Sequence, residues 1–140
     1  MKCRKLKIDG FYLGRFDYDS EAVAEIKKFA VDSKINSGFF TIIGAVKEAV
    51  ISFYDQEEKK YFSKELKQHM EIVSCTGNMA TKDEKIVVHA HACFSLPDGS
   101  TVGGHLVSMR IFAGELHFFP SKDKVERKFD ETTGLNLMDL

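Results

Sequence analysis

The sequence lacks an excess of charge of either sign. Its 140 residues contain 20 Lys and Arg against 21 Asp and Glu, which gives a formal net charge of −1. Because this balance provides no global positive field, any binding of DNA needs a local basic patch. The candidates for such a patch lie near the start of the chain: Lys2, Arg4, Lys5 and Lys7.

Cysteine is also scarce. The three cysteines, Cys3, Cys75 and Cys93, are an odd number without CxxC spacing, which favours free thiols in a reducing compartment. The first residues contain no long apolar core of the kind found in a secretory signal. We therefore expect a cytoplasmic protein.

Long apolar runs are missing as well. No segment approaches the roughly 18 consecutive apolar residues that a membrane-spanning helix needs, so we expect no membrane insertion. Gly10 and Gly14 lie outside any strand-to-helix GxGxxG context, which excludes a dinucleotide-binding fingerprint.

Hydrophobic residues make up 44% of the chain, although they form no long run. That content, at this length, predicts one globular domain over residues 1–140 with a buried core.

One segment has the period of an amphipathic helix. Between Asp19 and Lys34, apolar residues recur three and four positions apart, at Val23, Ile26, Phe29 and Ala30. Asp19 or Ser20 is placed to cap the N-terminus. The turn-forming residues 36–38 end the segment, which predicts a single principal helix.

Most of the remaining chain is typical of short strands. An apolar, β-branched stretch begins at Phe39, and further predicted strands cover residues 49–54, 60–66, 70–75, 85–96, 101–109 and 111–119. So many consecutive strands predict an α/β domain of the α+β kind, with a mostly antiparallel β-sheet and few flanking helices.

The aromatic residues of the predicted strands have two possible roles. The strand aromatics could stack on bases, but aromatics in strands more often belong to the core or to oligomer contacts, and we favour the core. They are Tyr12, Phe16, Tyr54, Phe62, Phe112, Phe118 and Phe119.

The apolar residues of the tail, from Leu135 to Leu140, predict a last extended segment that docks on the body or on a neighbour.

The segment 87–93 carries the clearest chemical signal. Alternation along a strand puts His89, His91 and Cys93 on one face, with successive members roughly 6.6 Å apart. Two imidazoles at that spacing can converge on one metal ion, and His105 is the candidate third ligand. The alternative is that the two histidines simply occupy a half-polar strand face.

The position of His105 depends on the turn at residues 96–99. A type I turn with Gly99 in the left-handed conformation predicts a three-residue hairpin loop, and His105 then lies opposite His91 on the same face. The same register puts Gly103 opposite Cys93, which predicts an open space beside the histidines. A two-residue turn would instead pair His105 with Ala92 and point it away.

Three histidines with an open position are typical of catalytic rather than structural zinc sites. We therefore expect one divalent ion, zinc as first choice, with imidazole nitrogens at about 2.0–2.1 Å. Cys93 is a weaker candidate for the fourth position. Glu71 and Glu115 lie on apolar strands and are the candidate general bases, although glutamates on strands more often face solvent. His69 and His117 are predicted to be surface residues.

Several motifs, in order along the chain, resemble those of one family. They are residues 68–78, His89-Ala90-His91, Leu96-Pro97-Asp98-Gly99, Gly103-Gly104-His105-Leu106, Glu115 and Thr132-Thr133-Gly134-Leu135. With the opening strand and helix, they resemble the PPC domain, the plant- and prokaryote-conserved domain, over nearly the whole chain. The resemblance is greatest to its single-domain prokaryotic members, which share the three histidines. It implies an antiparallel sheet with few helices, and a homotrimer.

The family resemblance also implies DNA binding, because the plant members carry AT-hooks beside this domain. This sequence contains no Arg-Gly-Arg-Pro AT-hook, and of the plant partner-binding segment it keeps only Glu71 and Ile72. Two functions therefore compete. One is a trimeric DNA-binding or regulatory protein with a three-histidine metal site, and the other is a metal-dependent enzyme or small-molecule binding protein of unknown substrate. A purely structural scaffold is a third alternative.

Overall fold

A computed structural model of the chain describes residues 1–140. Its elements in chain order are β1 (Tyr12–Arg15), α1 (Ala22–Asp32), β2 (Gly38–Asp55), β3 (Lys60–Leu66), β4 (Met70–Lys82), β5 (Lys85–Ser95), β6 (Thr101–Pro120), β7 (Arg127–Asp130) and β8 (Leu135–Met138). No helix among them is long and apolar enough to span a bilayer.

The main sheet has six strands in the order β1-β6-β5-β4-β2-β3, and all of its ladders are antiparallel. The long strand β6 also pairs with β2, so that β2, β4, β5 and β6 form a closed ring of strands. The predicted α+β class, with a mostly antiparallel sheet, is therefore confirmed. Because β6 pairs with β5 on one side and with β2 on the other, side chains of these three strands lie close together.

The helix lies within the predicted segment, but its cap differs from the prediction. Glu21 is the N-cap residue, and its carboxylate accepts hydrogen bonds from the backbone N–H groups of Val23 and Ala24 at 3.0 and 2.8 Å. The predicted caps were wrong because the backbone of both residues is hydrogen-bonded to β6 instead. The N–H of Asp19 donates to the Ile111 carbonyl, and the N–H of Ile111 donates to the Ser20 carbonyl.

The core lies between α1 and the inner face of the sheet. The helix contributes Ala22, Ile26 and Ala30, each at most 1% exposed. These small and β-branched side chains let the helix approach the sheet closely, and three fully buried phenylalanines fill the space below: Phe40, Phe94 and Phe118. Burial of these apolar side chains is the main stabilising contribution of the fold.

Three of the predicted strand extents were wrong. The strand predicted for residues 70–75 continues to Lys82. Residues 39–54 lie in one strand, β2, and residues 101–119 lie in one strand, β6. The β2–β6 ladder absorbs the breaks in alternation as β-bulges near Val46, Glu48 and Val50. A bulge inserts an extra residue and bends a strand without ending it, so in the sequence it looks like a strand end.

The core prediction for the strand aromatics holds only in part. Phe16 and Phe118 are buried, whereas Tyr12, Phe62 and Phe112 are 43%, 57% and 55% exposed. Phe112 lies on the outer face of the sheet, next to the buried Ile111. Tyr12 lies on the helix side, because its ring packs 5.1 Å from that of Phe29 of α1 and it is paired with the buried Phe118. Phe62 is paired with Phe53, on the same side of the sheet as the buried Ile51 but beyond the helix.

The last residues form the hairpin β7–β8, here called the C-terminal hairpin (127–138). It docks on the body of its own chain, which is one of the two alternatives that the apolar tail predicted. Val125, two residues before the hairpin, accepts a hydrogen bond from the N–H of Thr81 on β4 at 2.9 Å, and Thr133 accepts one from the Tyr54 hydroxyl on β2 at 2.7 Å. These two anchors hold the hairpin against the outer face of the sheet, beside the histidines of β5.

Candidate metal site

The turn between β5 and β6 has the predicted geometry. Gly99 is left-handed, with φ +80°, and its N–H donates to the Leu96 carbonyl at 2.9 Å. The Leu96 N–H in turn donates to Ser100 at 2.8 Å, which closes the hairpin loop. His91 consequently lies opposite His105. The register predicted from the turn type is confirmed.

The three histidines form one cluster on the outer face of the sheet. Their candidate ligand nitrogens all lie within 4.8 Å of one another. The ring centroids are 5.3 Å apart for His89 and His91, 5.1 Å for His89 and His105, and 5.5 Å for His91 and His105. His91 is exposed and the other two are half-buried.

This donor set fits a divalent ion. Two nitrogens bonded to one zinc ion at about 2.0–2.1 Å can be at most about 4.2 Å apart, so small changes in side-chain torsions bring the cluster into range. Imidazole nitrogen is a preferred ligand of zinc and other late divalent metals. The chemistry of three imidazoles on rigid, paired strands therefore suits a metal site.

Protonation does not oppose metal binding at two of the three histidines. Burial, with the neighbouring charge of Arg127, lowers the pKa of His89 to about 4. Burial also lowers the pKa of His105, with smaller contributions from His91 and Arg127. Both rings are therefore neutral at pH 7, and a neutral imidazole has the lone pair that a metal ion needs.

Arg127, from the C-terminal hairpin, lies beside the cluster. Its Nη2 donates to the Asn78 side-chain oxygen at 2.7 Å and lies 3.3 Å from Nδ1 of His89. Its Nη1 donates to the Asn136 carbonyl at 2.8 Å. The ring of Tyr61 covers another side of the cluster, 5.1 Å from the His105 ring.

Sequence reasoning missed these neighbours. Arg127 lies in a charged stretch, residues 121–131, that follows β6 and has no strand period. Tyr61 belongs to the edge strand β3, which lies near β6 because both strands pair with β2. No local pattern in the sequence relates either residue to the histidines.

The candidate general bases lie away from the cluster within one chain. Glu71 is opposite Ser95, four residues beyond His91 on β5, which is about 13 Å along the strand. Glu115 pairs with residues of β1 and β2, ten residues from His105. Both carboxylates are exposed, the commoner outcome for a glutamate on a strand.

The other expectations about this face have mixed outcomes. Cys93 lies on the same strand as His91 but outside the group of converging ligands. The open space expected at Gly103 is absent, because a Cβ there would lie 2.5 Å from the Ala92 carbonyl oxygen. His69 is exposed as predicted, whereas His117 is half-buried.

Comparison with known proteins identifies relatives of the whole chain. Residues 4–119 match the model of the Plants and Prokaryotes Conserved (PCC) domain family. No curated protein matches the sequence. A metal-containing protein from Archaeoglobus fulgidus is 40% identical, with a TM-score of 0.93 and 98% of each chain covered.

Two further solved structures are similar. A plant- and prokaryote-conserved protein from Pyrococcus horikoshii is 31% identical over 100% of this chain and 98% of its own, with a TM-score of 0.94. A Bacteroides thetaiotaomicron protein for which DNA binding is proposed is 28% identical over 96% of each chain, with a TM-score of 0.88. The chain belongs to the plant- and prokaryote-conserved domain family.

Proposed function

We propose that this protein binds one divalent metal ion, zinc as first choice, through His89, His91 and His105, and uses it to bind a small-molecule ligand. The observation that carries the proposal is the convergence of three imidazoles from two paired strands to within 4.8 Å. A zinc ion held by three imidazoles acts as a Lewis acid at the position left for a ligand.

Two further facts support the metal site. A relative that is 40% identical over nearly the whole chain is described as metal-containing. Burial keeps His89 and His105 neutral at pH 7, so an ion does not compete with protons for them there. The protein itself would hold the ion in place and shield two of its three ligands from water.

Calorimetric titration tests the proposal. Protein treated with EDTA and then titrated with Zn²⁺ should bind one ion per chain, and His105→Ala should weaken that binding strongly. His69→Ala is the matched control, because His69 is exposed and outside the cluster. Equal zinc affinity in His105→Ala and wild type would refute the assignment of ligands.

The proposal includes a homotrimer. Large apolar side chains project from the outer face of the sheet, and in a single chain they are exposed to water, which is unfavourable. They include Leu13, Phe39, Ile43, Val73 and Phe112. The edge strands β1 and β3 also offer unpaired backbone groups that a neighbouring subunit can cover. Both features support assembly of identical chains.

DNA binding is a second candidate function. Exposed basic residues near the start of the chain, and relatives for which DNA binding is proposed, favour it. The net charge of −1 opposes it, because phosphate neutralisation dominates non-specific affinity. Fluorescence anisotropy with a random duplex at low salt distinguishes the two. No binding there would exclude this function.

A further inference from the structure

Arg127 is a half-buried cation without an acidic partner. None of the ion pairs of the chain includes it. Its guanidinium contacts only neutral groups, the side chain of Asn78, the carbonyl of Asn136 and the ring of His89, and its Nε is buried without any partner. Burying a charge without a counter-ion is energetically unfavourable, and this unpaired charge lies beside the histidine cluster.

A metal ion at the cluster would leave Arg127 with a free donor. The Nη2 of Arg127 lies 3.3 Å from Nδ1 of His89. A guanidinium can only donate, so a hydrogen bond between them uses the lone pair of that ring nitrogen. A neutral imidazole has one N–H and one lone pair. That lone pair can bind either the guanidinium or a metal ion, but not both. Loading the site therefore removes the acceptor of Arg127, whichever ring nitrogen binds the metal.

The loaded site would then hold two adjacent positive charges and one unpaired N–H. Repulsion between a divalent ion and a guanidinium a few ångströms apart is substantial where solvent is partly excluded. An anion that contacts both the metal ion and the guanidinium offsets the repulsion between them. It also accepts a hydrogen bond from the free N–H. One oxygen of such an anion contacts the metal ion and a second accepts a hydrogen bond from the guanidinium, and hydrogen bonds between charged partners are the strong ones.

We propose that Arg127 and the metal ion together bind the carboxylate group of a small organic anion. The proposal rests on the metal site proposed above. A carboxylate is favoured over phosphate, because one guanidinium and one ligand position match two oxygens and a single negative charge. Asn78 positions the guanidinium, and the C-terminal hairpin holds it over β4 and β5.

The test uses protein loaded with Co²⁺, whose visible spectrum reports on its ligands. Acetate, acetamide and inorganic phosphate are titrated at constant ionic strength into wild type, Arg127→Gln and Arg127→Lys. Arg110→Gln is the matched control, because Arg110 lies outside the cluster and donates to the Asp19 carbonyl. Metal content and thermal unfolding of every variant are measured first, so that loss of folding is recognised.

Acetate should change the wild-type spectrum and acetamide should not. Arg127→Gln should weaken acetate binding about 10- to 100-fold, since a hydrogen bond between charged groups contributes about 1.5–3 kcal/mol. Arg127→Lys should fall between the two, and Arg110→Gln should equal wild type. The Co²⁺ affinity of Arg127→Gln, without added anion, should be equal to or higher than that of wild type, because a competing donor and a repelling charge are removed.

Other outcomes would overturn the inference. If the metal binds but acetate affinity is the same in wild type and Arg127→Gln, or acetamide binds equally, Arg127 does not bind an anion, and the metal site still stands. Tighter, Arg127-dependent binding of phosphate would refute the carboxylate class. If wild type binds no metal, the proposed function fails first, and this inference fails with it.

Discussion

Replacing Gly103 by Ala should disturb the fold and the histidine cluster together. An ideal Cβ at Gly103 lies 2.5 Å from the Ala92 carbonyl oxygen and 3.1 Å from the Cys93 Cα. This is roughly 1 Å short of ordinary van der Waals contact, and the obstructing atoms are backbone that cannot rotate away. The β5–β6 ladder must therefore open at this point.

Overpacking of this kind costs about 1–3 kcal/mol, and the upper half of that range applies where backbone must move. A loss of about 2–3 kcal/mol lowers the Tm of a domain of this size by roughly 6–10 °C. His105 lies two residues further along β6, opposite His91. Its displacement should also weaken zinc binding.

The assay is thermal unfolding of the EDTA-treated protein, followed by zinc titration of the folded protein. Gly14→Ala is the matched control, since its Cβ would meet only the Leu116 side chain and carbonyl, none closer than 3.5 Å. Its stability should change by less than about 0.5 kcal/mol. If Gly103→Ala is as stable as wild type, or loses stability with unchanged zinc affinity, the close approach at Gly103 does not hold the cluster together.

Three further predictions follow from the fold. Glu21→Ala should lower the free energy of unfolding by about 1–2 kcal/mol in denaturant titrations, because the carboxylate caps α1 and also accepts the N–H of Met109 at 3.2 Å; an unchanged midpoint would contradict the capping role. Burial raises the pKa of Cys75 to about 12, so at pH 8 its thiolate fraction is about 10⁻⁴ and iodoacetamide should label exposed Cys3 far faster, as read by mass spectrometry. Comparable labelling of both in folded protein would be inconsistent with the burial of Cys75. Light scattering should give three times the 15.8 kDa protomer mass, and a monomer at micromolar concentrations would refute the trimer.

The sequence was sufficient for the part of the site that local rules determine. Alternation placed His89 and His91 on one face, and the chemistry of the turn at Pro97 and Gly99 set the register that brought His105 opposite. All of this information lies within 17 consecutive residues. A hairpin of this kind has few alternative registers, because its loop type determines them.

The rest of the site depends on contacts between distant parts of the chain. Arg127 reaches the cluster only because the C-terminal hairpin docks on β4 and β2, and nothing in its own segment predicts where it docks. The length of β2 was also beyond local rules, since its bulges interrupt the alternation that marks a strand. The cap at Glu21 was missed because tertiary hydrogen bonds to β6 engaged the residues with the better capping propensity.

Zinc content of the purified protein tests the central claim most directly. Wild type, His91→Ala and His69→Ala are purified identically, and the metal of each is measured by mass spectrometry against protein concentration. We predict one ion per chain in wild type and His69→Ala, and loss of the ion in His91→Ala with the fold retained, because two remaining imidazoles form only a weak site. The same zinc content in wild type and His91→Ala would contradict the account.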